Sequence, residues 1–223
     1  MKKRALMSVG VVLLAMMLMA PKGGDKGGGK GLKLTDEYIS GYFTKSFGDG
    51  ELVSLQDLSK GGVGFAVSGL GSGIGEKIGI SDDFWPGPGL DSSSGCTGEF
   101  NSDCSAFPAL TLEFKNLGTD PVDVNVYMNT GFTEGGYDTC PGEEYTCDIY
   151  YEGSWTTVAP GKSKKVTLDF SNATPYSCDG PLVDGCTNGV DQPIQRLDQV
   201  SGIGFQVRDL GGPTSTWVEV KGK

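Results

Sequence analysis

A chain without a single histidine has few routes to covalent chemistry. Ser-His-Asp and Cys-His engines are excluded, and so is the usual His-containing zinc site. Carboxylates remain. A pair of Asp or Glu side chains can cleave a glycosidic bond, yet no spacing here singles out a pair. The acidic residues that do gather are Asp82-Asp83, Asp138, Glu143-Glu144, Asp148, Asp179 and Asp184, all in Gly-, Ser- or Cys-bearing stretches. Such oxygens could hold calcium, but none of these stretches has EF-hand spacing. They read as solvated loop faces. No metal ligand is assigned, a structural calcium stays open, and no other cofactor is expected. With no catalytic residue to name, the chain is expected not to be an enzyme.

The residue types that can bind without reacting are better placed. In Val122–Met128, Val122, Val124, Val126 and Met128 alternate with Asp123, Asn125 and Tyr127. In Val200–Arg208, Ile203, Phe205 and Val207 alternate with Gly204, Gln206 and Arg208. Near the end, Val218 and Val220 alternate with Trp217 and Glu219. Side chains on a strand point to opposite faces with period two, so Trp217, Tyr127, Asp123, Asn125, Gln206 and Arg208 fall on wet faces. An aromatic ring can cover the C–H face of a sugar while Asp, Asn, Gln and Arg bond its hydroxyls. Trp85, in the loop sequence DDFWPGPG, is either a loop-tip contact or a plug beneath the loop. These seven residues form the candidate ligand set, provided the strands share one sheet. The ordinary alternative for each outward aromatic is packing under a loop. Trp155, at the start of a strand-like run, is expected in the core.

These residues need strands to position them. Leu110, Leu112 and Phe114 alternate with polar residues, Asn116–Pro121 supplies turn chemistry, and a second alternating run follows. That is an antiparallel pair with one buried face. Glu51–Leu58, Gly62–Gly69, Lys77–Ser81, Ser163–Phe170, Val200–Arg208 and Ser215–Lys221 read as further strands. Asp148–Tyr151 leads into Trp155. Gly64, Ala66 and Ser68 oppose Val63, Phe65 and Val67, and such small residues suggest close approach by another layer. Thr35–Phe47 reads as a short helix with Thr35 as N-cap, or as an edge strand. Long loops are expected over Asp82–Phe107, Gly131–Thr146 and Tyr176–Ile194. The expected fold is all-β, a two-sheet antiparallel β-sandwich of jelly-roll type with long disulfide-closed loops.

Residues 1–20 stand apart. Lys2, Lys3 and Arg4 precede an apolar run too short for a comfortable membrane span. This reads as a secretory signal. Ala20 is followed by Pro21, a poor cleavage site, so a retained membrane anchor stays open. Residues 21–31 are a Gly/Lys-rich linker, and residues 32–223 form the folded domain. Secretion or the cell surface is the expected location. The net charge of −10 repels nucleic acid and anionic lipid, so neither is an expected partner. Six cysteines in an exported chain should be oxidised. Among the 15 pairings six cysteines allow, three local ones are simplest: Cys96–Cys104, Cys140–Cys147 and Cys178–Cys186. Asn172-Ala173-Thr174 fits a glycosylation sequon, weakened by Pro175.

Three stretches then line up in order: Trp155-Thr156-Thr157-Val158-Ala159-Pro160-Gly161, Val166-Thr167-Leu168-Asp169-Phe170-Ser171, and Val200–Val207 with its Ile203-Gly204-Phe205 centre. This order resembles the galactose-binding-like jelly rolls found in carbohydrate-binding modules. The run Gly48–Leu58 loosely resembles their first strand. The resemblance implies the sandwich fold and a glycan or polysaccharide partner. Family members often end on an Asp-Asn-Val strand that helps hold calcium, whereas this chain ends on Trp217-Val218-Glu219-Val220. The expected function is a secreted or surface-tethered, non-catalytic carbohydrate-binding domain. The alternative is a structural β-sandwich protein of the cell envelope or extracellular matrix, and a carboxylate-based glycan hydrolase or lyase ranks below both.

Overall fold

Two antiparallel sheets pack face to face, and every strand pair in them is antiparallel. The structure is a computed structural model and describes residues 31–48, 50–69, 77–81, 96, 103–130, 149–176, 178, 185–209 and 215–222. A short helix, α1 (Asp36–Tyr42), precedes β1 (Lys45–Gly48), β2 (Glu51–Asp57), β3 (Val63–Ser68) and β4 (Lys77–Ser81). Next come β5 (Ala109–Asn116) and β6 (Val122–Thr130). Then come β7 (Ile149–Glu152), β8 (Thr156–Val158), β9 (Ser163–Asp169) and β10 (Thr174–Tyr176), and last β11 (Val200–Asp209) and β12 (Ser215–Gly222). One sheet runs β1-β4-β11-β6-β7-β10, with β8 also paired to β6; the other runs β2-β3-β12-β5-β9. The all-β sandwich expected from alternation is the fold of the described residues.

The hairpin read from sequence does not stay in one sheet. β5 lies in the five-stranded sheet and β6 in the seven-stranded one, so the turn between them is a corner joining two layers. Asn116 fixes that corner. Its Nδ2 donates to the carbonyls of Asp120 and Val158 at 2.7 and 2.9 Å, and its Oδ1 accepts from Gly118 N at 2.8 Å. A buried amide with these three bonds loses little by leaving water.

The core follows the predicted parity. Val122, Val124, Val126 and Met128 from one sheet meet Leu110, Leu112, Phe114, Val218 and Val220 from the other, all buried. Phe205 is the hub, with ring centroids 5.0 Å from Phe65, 5.4 Å from Phe114 and 5.9 Å from Phe43. The segment Thr35–Phe47 contains both elements it suggested: the helix, and the start of β1. Thr35 caps the helix by accepting from Tyr38 N at 3.1 Å. Gly64, expected against another layer, is instead overlain by the side chains of Leu58 and Gln56.

Cys96–Cys104 and Cys178–Cys186 are disulfide-bonded, as the spacing predicts. Bridges of this kind suit an oxidising, extracellular environment. Cys140–Cys147, the expected signal segment, residues 21–30 of the expected linker, Trp85 and the acidic candidates from Asp82 to Asp184 all lie outside the described residues. Among the described residues no helix is long and apolar enough to cross a membrane, and no three His, Cys, Asp or Glu side chains gather to hold a metal ion.

Candidate functional site

The seven-stranded sheet has a second face, turned away from the core, and the register sets what stands on it. Arg208 pairs across with Lys77 and Asp123, and Gln206 with Gly79 and Asn125. Gly204 pairs with Ser81 and Tyr127, and Tyr127 in turn with Glu152. Tyr150 pairs with Tyr176 on the edge strand β10. Gly79 and Gly204 put no side chain on this face, and the Tyr127 ring lies where a Cβ on Gly204 would stand.

Trp155 enters this face through a break in the strand. β7 and β8 both pair with β6, along Tyr127–Thr130 and Val122–Val124 respectively. Between them Gly153 donates to Val126 O at 2.9 Å. A Cβ at Gly153 would come within 3.2 Å of the carbonyls of Val126 and Thr167, so glycine suits the crossing there. Trp155 then turns outward, half-buried. It does not take the core position expected of it.

The result is an open cleft of about 430 Å³ lined by Lys77, Tyr150, Glu152, Trp155, Tyr176 and Arg208. Its polar floor is closely bonded. Glu152 Oε1 accepts from Lys77 Nζ at 2.8 Å and from the Tyr150 hydroxyl at 2.9 Å, while Oε2 accepts from Trp155 Nε1 at 3.2 Å. Gln206 Oε1 accepts from Lys77 Nζ at 3.4 Å; with the amide assigned the other way round, so that both its oxygen and its nitrogen find partners, it accepts from Lys77 Nζ at 3.1 Å and donates to Glu152 Oε1 at 3.0 Å and to Asn125 Oδ1 at 3.2 Å. Asp123 accepts from Arg208 Nη2 at 2.7 Å and Nε at 3.1 Å, and from the Thr157 hydroxyl at 2.6 Å. The Arg208 guanidinium sits 4.2 Å from the centre of the Trp155 ring. Tyr127, Tyr150 and Tyr176 form a ladder from floor to rim, with centroids 5.2 and 6.2 Å apart.

Burial, and secondarily the Glu152 charge, push the Tyr150 phenol above its ordinary value of 10.0. A raised folded-state pKa contributes stability that is full below the ordinary phenol pKa and is lost as pH rises past it. The melting temperature should therefore fall as pH rises above about 10, and fall less in Tyr150→Phe. Thermal melts from pH 8 to 11 check this; equal pH slopes for parent and mutant would remove Tyr150 from the explanation.

The sequence-predicted ligand set divides. Asp123, Asn125, Tyr127, Gln206 and Arg208 share one face, as their parity requires. Only Arg208 reaches the cleft wall; Asp123, Asn125, Tyr127 and Gln206 are buried beneath it. Trp217 stands on the five-stranded sheet, paired with Ala66 and 38% exposed, so the fold does not build one platform from Trp217 and Tyr127. The residues missed are Lys77, Tyr150, Glu152, Trp155 and Tyr176. Parity carried part of the signal: Ile78 and Ile80 alternate with Lys77, and Ile149 and Tyr151 with Tyr150 and Glu152.

No family model and no curated protein matches the chain. Solved structures do show likeness. An exo-beta-agarase aligns with a TM-score of 0.45 at 10% identity, over 85% of this chain and 24% of that one. An agarase, AgWH50C, aligns at 0.41 and 11%, over 78% and 22%. PfGH50B aligns at 0.41 and 12%, over 79% and 22%. The chain spans less than a quarter of each neighbour's length. Overlaps of this quality establish neither a shared fold nor a shared activity.

Proposed function

We propose that this domain is a non-catalytic carbohydrate-binding module, exported or held at the cell surface, and that the cleft between Trp155 and Tyr176 is its glycan site. The observation that carries the reading is the union of aromatic surface with a polar floor whose carboxylates, Glu152 and Asp123, are closely bonded. Trp155 is half-buried and Tyr176 is 42% exposed. Rings held this way offer flat apolar faces to the C–H side of a sugar, and the surrounding Lys and Arg donors suit its oxygens. The volume lies within the usual range for small-ligand sites, about 300–1,000 Å³. Glu152 and Asp123 are each tied to a cation and a hydroxyl. A carboxylate so committed serves to position its donors and is poorly placed to exchange protons with a substrate. That supports binding over cleavage.

The test is a glycan array with the purified domain 32–223, followed by titration of Tyr176→Ala against the best ligand. Tyr176 stands on the cleft rim, so its loss should weaken binding by about tenfold or more. Stability should change by about 0.5 kcal/mol or less. Full affinity in Tyr176→Ala would remove this cleft as the glycan site, and an array without hits would remove the function.

A further inference from the structure

The cleft does not present its charges evenly. The carboxylates of Glu152 and Asp123 lie deep, with side chains 6% and 8% exposed, while Lys77 and Arg208 stand forward at 37% and 31%. What a ligand meets is therefore cationic, although the charges in the cluster balance.

The hydrogen-bond inventory points the same way. An ammonium has three N–H donors. Lys77 commits two, to Glu152 and Gln206, and among the described residues the third has no hydrogen-bond partner, the ammonium lying 5.8 and 5.9 Å from the Tyr150 and Trp155 ring centres. A guanidinium has five. Arg208 gives one from Nε and one from Nη2 to Asp123, and among the described residues its Nη1 edge has no hydrogen-bond partner. The acceptors in contrast are engaged: Glu152 Oε1 receives three donors, Glu152 Oε2 the Trp155 indole, and both Asp123 oxygens are bonded. A neutral sugar hydroxyl both donates and accepts. This cleft has donors to spare and few open acceptors.

Resting on the reading of the cleft as a glycan site, we infer that its preferred ligands are glycans with an anionic substituent, a sulfate ester or a uronate carboxylate, seated between Lys77 and Arg208 against the Trp155 ring. Charge-assisted bonds to such a group are stronger than those to a hydroxyl. The planar Arg208 guanidinium, already oriented by Asp123 and Trp155, loses little freedom on engaging it. The chain as a whole carries −10 and repels polyanions, so this attraction acts only at short range inside the cleft.

Calorimetric titration of the purified chain with matched oligosaccharides tests this. The pairs are a neutral galactan and its sulfated counterpart, and a neutral glucan and a polyuronate. The acid-bearing member of at least one pair should bind about tenfold or more tightly at low salt, with the advantage shrinking at high salt. The sulfate and uronate arms separate the two sources of charge. Lys77→Gln should erase most of the advantage, and Lys77→Arg should restore part of it. Lys165→Gln, on the opposite sheet, should leave it intact. Equal affinity for both members of each pair, or an advantage that Lys165→Gln reduces as much as Lys77→Gln does, would overturn the anionic preference while leaving the glycan site standing. Parallel loss of neutral and charged binding in Lys77→Gln would also overturn it, making Lys77 only the neutraliser of Glu152. No binding to any of the four would remove the glycan reading and this inference together.

Discussion

Trp155→Ala should weaken glycan binding by about 30-fold or more, the largest effect expected of any single change at the cleft. Three roles meet in this ring. It supplies aromatic surface to the cleft wall, its Nε1 anchors Glu152 at 3.2 Å, and its face supports Arg208 at 4.2 Å. Alanine removes all three and leaves the guanidinium held by Asp123 alone. The stability cost is smaller, about 1 kcal/mol, because the ring is half-buried and a cation–π contact near the surface is worth about 0.5–1 kcal/mol. Trp155→Phe keeps the aromatic face but not the indole N–H, so its affinity should lie between parent and alanine. Trp217→Ala is the paired control on the other sheet and should leave binding at the cleft unchanged. Titration of the three variants decides the matter. Equal affinity in Trp155→Ala and parent, or a loss confined to Trp217→Ala, would move the glycan site to the five-stranded sheet.

Trp155 also shows where reading a sequence by parity stops working. Parity needs an uninterrupted run. Val122–Met128 is one, and Asp123, Asn125 and Tyr127 stand on the face their positions assigned. What parity cannot supply is depth: with strands on both sides, that row is buried under its neighbours, and Tyr127 is 1% exposed. Around Trp155 there is no run to read. Gly153 and Ser154 interrupt the strand, and which way the next ring points depends on how closely Gly153 approaches the backbone of β9. That is a tertiary fact. Tyr176 was hidden for a similar reason, since β10 is three residues long and opens what reads as a loop. Trp217 failed to join Tyr127 because alternation assigns a face within a strand and is silent about which sheet the strand enters. Cysteine spacing was more legible, because residues eight apart across a turn-rich loop need no knowledge of the sheets to be paired.

The second large effect concerns what keeps that sheet in place. Phe205 is fully buried on β11, between Gly204 and Gln206, which stand on the opposite face of the sheet, beneath the cleft. Its ring meets Phe65 and Phe114 edge-on across the sandwich and Phe43 beside the helix. Phe205→Ala would remove the one ring common to all three contacts and leave a hole between two rigid sheets, which cannot close around it. The expected loss is about 3–5 kcal/mol, set against a total domain stability of about 5–15 kcal/mol. In a chain of this size that lowers the melting temperature by roughly 6–20 °C. Phe205→Leu keeps most of the volume and should cost about 1.5 kcal/mol or less. Urea titration of parent and both mutants measures these differences directly. A loss below about 1 kcal/mol in the alanine mutant would mean that the sheets do not meet through this ring. Glycan affinity, measured below the melting range, separates packing from recognition: the Lys77, Glu152 and Arg208 network is held by strand register and its own hydrogen bonds, so folded Phe205→Ala should bind within a few-fold of the parent while Trp155→Ala does not.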